Sequence, residues 1–99
     1  MRRAARVDEN QSAIVDGLLS VGCSVQSLAS QGIGVPDLLV GFQGKNLLFE
    51  VKNPSKPKAD QELTIAQRKF HAYWKGQIKQ ISTVEEALGV IADIVLAER

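Results

Sequence analysis

Residues 36–52, PDLLVGFQGKNLLFEVK, decide how the rest of the chain is read. Two apolar runs, LLVGF and LLFEV, flank Gln43-Gly44 and Lys45-Asn46. A Gly in a short polar break between apolar runs marks a hairpin turn. With Gln43-Gly44 as a two-residue turn, Phe42 pairs with Lys45, and counting back sets Asp37 opposite Glu50. Directly opposed residues share a face, with Cβ atoms about 4.5–5.5 Å apart. Lys52, two residues past Glu50, lies on that face too. A four-residue loop at the same place keeps this pairing, and an odd-length loop breaks it.

Two opposed carboxylates on apolar strands repel each other unless a cation compensates. Lys52 supplies one cation. A divalent metal supplies a stronger one. Asp37, Glu50 and the backbone carbonyl of Val51 are hard oxygen donors that suit Mg²⁺ or Mn²⁺. Lys52 can then hold or deprotonate an attacking water. The set reads as an assembly for hydrolysing a phosphodiester. A plainer reading stands beside it: Asp37 caps a strand, because Pro-Asp is a frequent turn pair, and Glu50–Lys52 is a surface pair. Relief of repulsion predicts that Asp37→Asn leaves the metal-free protein as stable as before, or more so.

Outward from the hairpin, 7–22 carries a helical stripe through Ile14, Val15, Leu18, Leu19 and Val21, with Asp8 as a cap and Gly22 as a stop. Residues 23–29 suggest a short strand and 30–34 a glycine loop. Residues 53–62, with two prolines and no apolar pattern, suggest a flexible loop. Thr64 and Gln67 form a capping-box pattern that opens a helix ending at Gly76. Phe70, Tyr73 and Trp74 on it face inward or toward a partner. Residues 77–82 suggest a strand. Thr83 and Glu86 cap a last helix striped by Val84, Leu88, Ile91 and Val95. The order α-β-β-β-α-β-α predicts an α/β domain with a mixed sheet flanked by helices.

Pro36-Asp37, an apolar hairpin and Glu50-Val51-Lys52 resemble the PD-(D/E)xK nuclease superfamily. Gly34-Val35-Pro36-Asp37-Leu38-Leu39, Phe49-Glu50-Val51-Lys52, Leu63-Thr64 with Gln67, and Gly76 are similar to the VRR-NUC family, the virus-type replication-repair nucleases. The resemblance spans roughly the first helix to the last strand. It implies a restriction-endonuclease-like αβββαβ core, here with an extra C-terminal helix, and one nuclease domain over residues 1–99. It implies Mg²⁺- or Mn²⁺-dependent cleavage of DNA, and for stand-alone members a homodimer acting on four-way (Holliday) junctions. By position, Asp37 and Glu50 ligate metal, Lys52 positions or activates the water, and Gln67 points at the active site. The family's acid on the first helix matches Glu9 or its neighbour Asp8. Either acid can instead serve the helix N-terminus, and Gln67 can be only the second half of a capping box.

The totals narrow the partners. The chain has 99 residues, 44% hydrophobic, with net charge +1, so DNA contacts must come from local clusters. Lys56 and Lys58 follow the Glu50–Lys52 strand, and Arg68, Lys69 and Lys75 extend the track on the next helix. Arg2, Arg3 and Arg6 form a basic arm. Any one of these is as readily a solubilising residue. Nothing among them predicts base-specific readout, so DNA shape is the expected target. Cys23 is the one cysteine, which leaves no disulfide framework and suggests a buried small hydrophobe. His71 lacks partners and is expected to be solvated. No apolar run approaches a membrane span and no signal peptide is visible, so a cytoplasmic protein of a bacterium or a virus-infected cell is expected. A sequence-specific restriction enzyme would need recognition segments for which there is little length. A non-catalytic DNA-binding or assembly module on the same fold is the alternative from another class.

Overall fold

The computed structural model describes residues 9–97. Arg2, Arg3, Arg6, Asp8 and Glu98 lie outside the described residues. The elements are α1 (Glu9–Ser20), β1 (Ser24–Ser27), β2 (Leu38–Phe42), β3 (Lys45–Val51), a 3-10 turn (Lys58–Gln61), α2 (Ile65–Tyr73), β4 (Gln77–Ile81) and α3 (Val84–Leu96). This is the order read from the sequence, with the 3-10 turn added.

Gln43 and Gly44 both take positive φ, 49° and 81°. That is the primed turn whose twist suits a tight hairpin. Phe42 therefore pairs with Lys45, and the antiparallel register runs to Leu38 opposite Phe49. β1 is antiparallel to β2, and β4 is parallel to β3. The strand order is β1-β2-β3-β4, a mixed sheet. A parallel neighbour needs a long crossover, and residues 52–76, including α2, supply it.

Strand alternation gives the sheet two unlike faces. Leu38, Val40, Leu47, Phe49 and Val51 form one, covered by Ile14 and Leu18 of α1 and by Ala87 and Ile91 of α3. Full burial of each large aliphatic or aromatic side chain is worth about 1.5–3 kcal/mol, so this face carries most of the stability. Cys23 sits in the same core, as expected, and burial pushes its thiol pKa up. The other face presents Leu48, Glu50 and Lys52, all buried. Gln67 of α2 bonds to Glu50 and Lys52 there, so this face holds charge beside Leu48 where the first face holds only hydrocarbon.

That charged face explains how α2 departs from expectation. None of its residues is fully buried. Phe70 is half-buried and stacks on Trp74, with ring centroids 5.5 Å apart, while Tyr73 meets Phe70 edge-on. Tyr73 is 71% and Trp74 41% exposed, so of the two orientations expected, inward or toward a partner, these two rings do not take the inward one. The helix also stops at Tyr73, before Gly76, because Trp74 takes an extended backbone. Both capping boxes form as predicted, Thr64 with Gln67 and Thr83 with Glu86.

Residues 53–62 are a built loop and not a featureless one. Asn53 is buried, and its Oδ1 accepts from the Ser55 N–H at 3.0 Å and the Ser55 hydroxyl at 2.8 Å. This is an Asx-type turn. The Gln61 amide donates to the Lys56 carbonyl at 2.8 Å, and the Gln80 amide donates to the Gln61 carbonyl at 2.8 Å.

Candidate active site

The site forms where β2 and β3 part. The ladder ends at Leu38–Phe49, one pair short of Asp37–Glu50. Asp37 is the point of divergence. Its N–H donates to the Phe49 carbonyl at 3.0 Å, while its own carbonyl accepts from the Leu28 N–H at 2.8 Å. Pro36, just before it, has no N–H with which to continue the ladder. The Asp37 carboxylate fills in. Its Oδ2 accepts from the Val51 N–H at 2.7 Å. So Asp37 does cap a strand, and the same bond fixes where its carboxylate lies.

On the other edge of β3 the Lys52 N–H donates to the Ile81 carbonyl at 2.9 Å. Backbone groups alternate in direction along a strand, so the Val51 N–H and carbonyl both face the Asp37 side. Val51 thus turns a carbonyl oxygen toward the two acids.

Glu50 is 2% exposed and Lys52 8% exposed, so they are not a surface pair. Buried charges cost several kcal/mol each unless hydrogen-bonded and compensated. Gln67 links them. Its Oε1 accepts from Lys52 Nζ at 2.8 Å, and its Nε2 donates to Glu50 Oε2 at 3.3 Å. Oε1 also accepts from the Thr64 N–H at 2.8 Å, closing the capping box. With two donors on Oε1, only one orientation of the amide satisfies the network. Gln67 therefore closes the capping box and also reaches the side chains of Glu50 and Lys52.

Asp37, Glu50, Val51, Lys52 and Gln67 line one cleft of about 260 Å³. Its opposite wall is the loop from Leu28 to Val35. A larger hollow of about 810 Å³ lies between β4 and α3, lined by groups such as Ile78, Val90 and Ile94, and it shares no residue with the cleft. Both acids, Lys52 and Gln67 line the smaller one.

Glu9, exposed at the start of α1, does not line the cleft. Among the described residues no three His, Cys, Asp or Glu side chains gather as a metal cluster. Its neighbour Asn10 is the residue that sequence reading missed. The Asn10 amide donates to the Lys52 carbonyl at 3.0 Å and to the Ser82 carbonyl at 2.8 Å, tying α1 to the ends of β3 and β4. The signal was available in part: Asn10 and the buried Gln11 are polar residues that extend the Ile14–Leu18 stripe toward the helix N-terminus.

His71, one helical turn beyond Gln67, is half-buried and not solvated as expected. Its buried Nε2 has no hydrogen-bond partner. Burial first, and then the nearby Lys52 charge, lower its pKa from the ordinary 6.5. Lys56, Lys58, Arg68 and Lys69 are exposed, the first two on the loop after β3 and the others on α2, and Lys75 is exposed just past α2. The Arg68 guanidinium donates to the Leu63 carbonyl at 3.4 Å.

A four-stranded mixed sheet, with two helices on one face and a crossover helix over an acid- and lysine-bearing cleft, defines a restriction-endonuclease-like fold. A solved structure described as a VRR_NUC domain shares it, with a TM-score of 0.56 and 22% identity, covering 83% of this chain and 89% of that one. The chain has the fold of a VRR_NUC domain. No protein-family model and no curated protein matches it. Among the described residues no helix is long and apolar enough to cross a membrane.

Proposed function

We propose that the protein is a metal-dependent endonuclease that cuts branched DNA, with the cleft between Asp37 and Gln67 as its active site. The observation that carries this reading is the buried Glu50–Gln67–Lys52 chain opening beside Asp37 into one cleft. A structural role alone does not call for two acids and a lysine on a strand face that could have been apolar.

The donor set fits a small divalent cation. Two carboxylates and a backbone carbonyl are hard oxygen ligands of the kind that Mg²⁺ or Mn²⁺ would take. Asp37, Glu50 and the Val51 carbonyl would hold the ion. When bound, it lowers the pKa of a water and offsets charge on the phosphate. The chain's own groups do the rest. The Val51 N–H holds Asp37 in place. Gln67 directs Lys52 Nζ and shares its charge with Glu50. Lys52 positions the attacking water and stabilises negative charge gathering on the phosphate. The exposed Lys56, Lys58, Arg68 and Lys69 would grip flanking phosphates, a sequence-independent contact. The protein would act in the cytoplasm, and a homodimer would place two such clefts across a four-way junction in two-fold symmetry.

The test is a gel assay with a labelled four-way junction and a matched linear duplex in Mg²⁺, Mn²⁺ or EDTA. Paired, metal-dependent nicks on the junction are expected. Lys52→Ala should lower the rate by about 10²-fold or more, the scale of losing one transition-state donor. Junction binding without cleavage in any metal would sink the catalytic reading and leave a DNA-binding module.

A further inference from the structure

Ile33 stands out from every other apolar side chain of the described residues. It is 93% exposed, more than any other large hydrophobic among them. It also lines the mouth of the cleft that holds Asp37, Glu50 and Lys52.

The loop that carries it is pinned. Leu28 donates to the Asp37 carbonyl at 2.8 Å, and Gln31 donates to the Leu28 carbonyl at 3.0 Å. Gly34 lies so close to α2 that a Cβ there would stand 2.8 Å from the Ala66 carbonyl oxygen. Gly32 and Gly34 both have positive φ, 126° and 86°. Such angles suit glycine, and the side chain between them is exposed. The tip is thus a short apolar point on an anchored base.

We propose that Ile33 is a wedge that enters the base stack beside the scissile phosphate and selects DNA whose stacking is already broken, as at a branch point. This rests on the nuclease reading of the cleft. Proteins that kink or open nucleic acid insert single Ile, Leu, Phe or Met side chains between base steps. A base already unpaired or unstacked costs least to displace. A continuous duplex resists the wedge and a branch admits it. A protein partner is the poorer match, because docking surfaces are contiguous apolar patches. The residues beside Ile33 in the loop tip, Ser30, Gln31, Gly32 and Gly34, add no large apolar side chain.

The experiment uses the full chain in EDTA with 2-aminopurine at the branch nucleotide of a four-way junction, and the same label in a linear duplex. Affinity is read by anisotropy and unstacking by 2-aminopurine emission. Cleavage of both substrates is then compared in Mg²⁺. Binding of the unaltered protein should raise junction emission several-fold. Ile33→Ala should abolish the rise and lower the junction-to-duplex preference by about tenfold, the scale of one base contact, while Ile33→Leu restores both. Unchanged emission and preference in Ile33→Ala would overturn the wedge and leave the nuclease reading standing, given cleavage by the unaltered protein. If the unaltered protein neither binds nor cuts DNA, both readings fall. If Ile33→Ala instead changes the mass seen by light scattering, Ile33 is a protein contact and the wedge is wrong.

Discussion

Replacing Asp37 separates its two duties. Its Oδ2 accepts the Val51 N–H at 2.7 Å, and Val51 is only 3% exposed. Asp37→Ala removes the acceptor and leaves a buried donor unsatisfied, which costs about 1–3 kcal/mol. Taking about 2 kcal/mol, and about 4–8 °C of Tm per kcal/mol for a domain of this size, melting should fall by about 8–16 °C. Asp37→Asn keeps an amide oxygen at the same place. A neutral acceptor is roughly half as strong as a charged one, so about 1 kcal/mol is lost, and relief of repulsion with Glu50 returns part of it. The net change for Asn is then between about zero and 1 kcal/mol. The view from sequence, that Asp37→Asn costs nothing, omitted the Val51 bond. Urea and thermal melts in EDTA measure both variants without metal, and both should lose cleavage. If Asp37→Ala melts with the unaltered protein, Val51 has another acceptor, and the strand-capping geometry derived above is wrong.

Three further outcomes follow from particular contacts. Thr64→Ala removes the N-cap that accepts from Gln67 N–H at 3.2 Å and should cost about 1 kcal/mol in a urea titration. Gly34→Ala forces a Cβ into a left-handed backbone, at about 1–2 kcal/mol, and against the Ala66 carbonyl, so its melting temperature should fall by at least about 5 °C. A gain in stability there would show that the loop does not press on α2. His71 has a folded-state pKa below its ordinary 6.5, so the unfolded chain takes the proton first as pH falls. Its stability contribution is full above about 6.5 and is lost as pH drops through the folded value. The difference in urea stability between the unaltered protein and His71→Gln should therefore shrink on acidification from pH 7.5 to 5, and a constant difference would refute the burial argument.

The hairpin was legible because a strand repeats every two residues and Gln43-Gly44 permits one register. Those two facts place Asp37, Glu50 and Lys52 on one face without further information. They could not show that the ladder stops at Leu38. That outcome depends on Pro36 having no N–H and on the Asp37 N–H turning to the Phe49 carbonyl, while the Asp37 carbonyl continues the β1–β2 pairing to Leu28. The capping boxes were legible because their partners lie three residues apart. Asn10 was obscured because its partners are 42 and 72 residues away and are backbone atoms, which leave no trace in side-chain identity. The aromatic spacing on α2 suggested packing, but helical periodicity cannot tell which sheet face waits beneath. Here it is a charged one. The two glycines at 32 and 34 announced a loop, yet not that it stands against the cleft.

The two faces of the sheet differ in kind: one buries hydrocarbon, and the other carries Glu50 and Lys52 with their bonds to Gln67. α1 and α3 bury hydrocarbon against one face of the sheet. The opposite face carries Glu50 and Lys52, which no apolar core would accept unpaired. α2 is poorly buried, so little hydrophobic force fixes its position. Its start is held by the Thr64–Gln67 box, by the close approach of Gly34 to Ala66, and by the Gln67 bonds to Glu50 and Lys52. The same oxygen that caps the helix also directs the ammonium. Loosening the helix start therefore reaches the site in a single hydrogen bond, whereas truncations in the α1–α3 core must first disturb the sheet. Substitution at Thr64 should move activity more than its modest stability cost implies, and substitution at Ile14 or Ile91 the reverse.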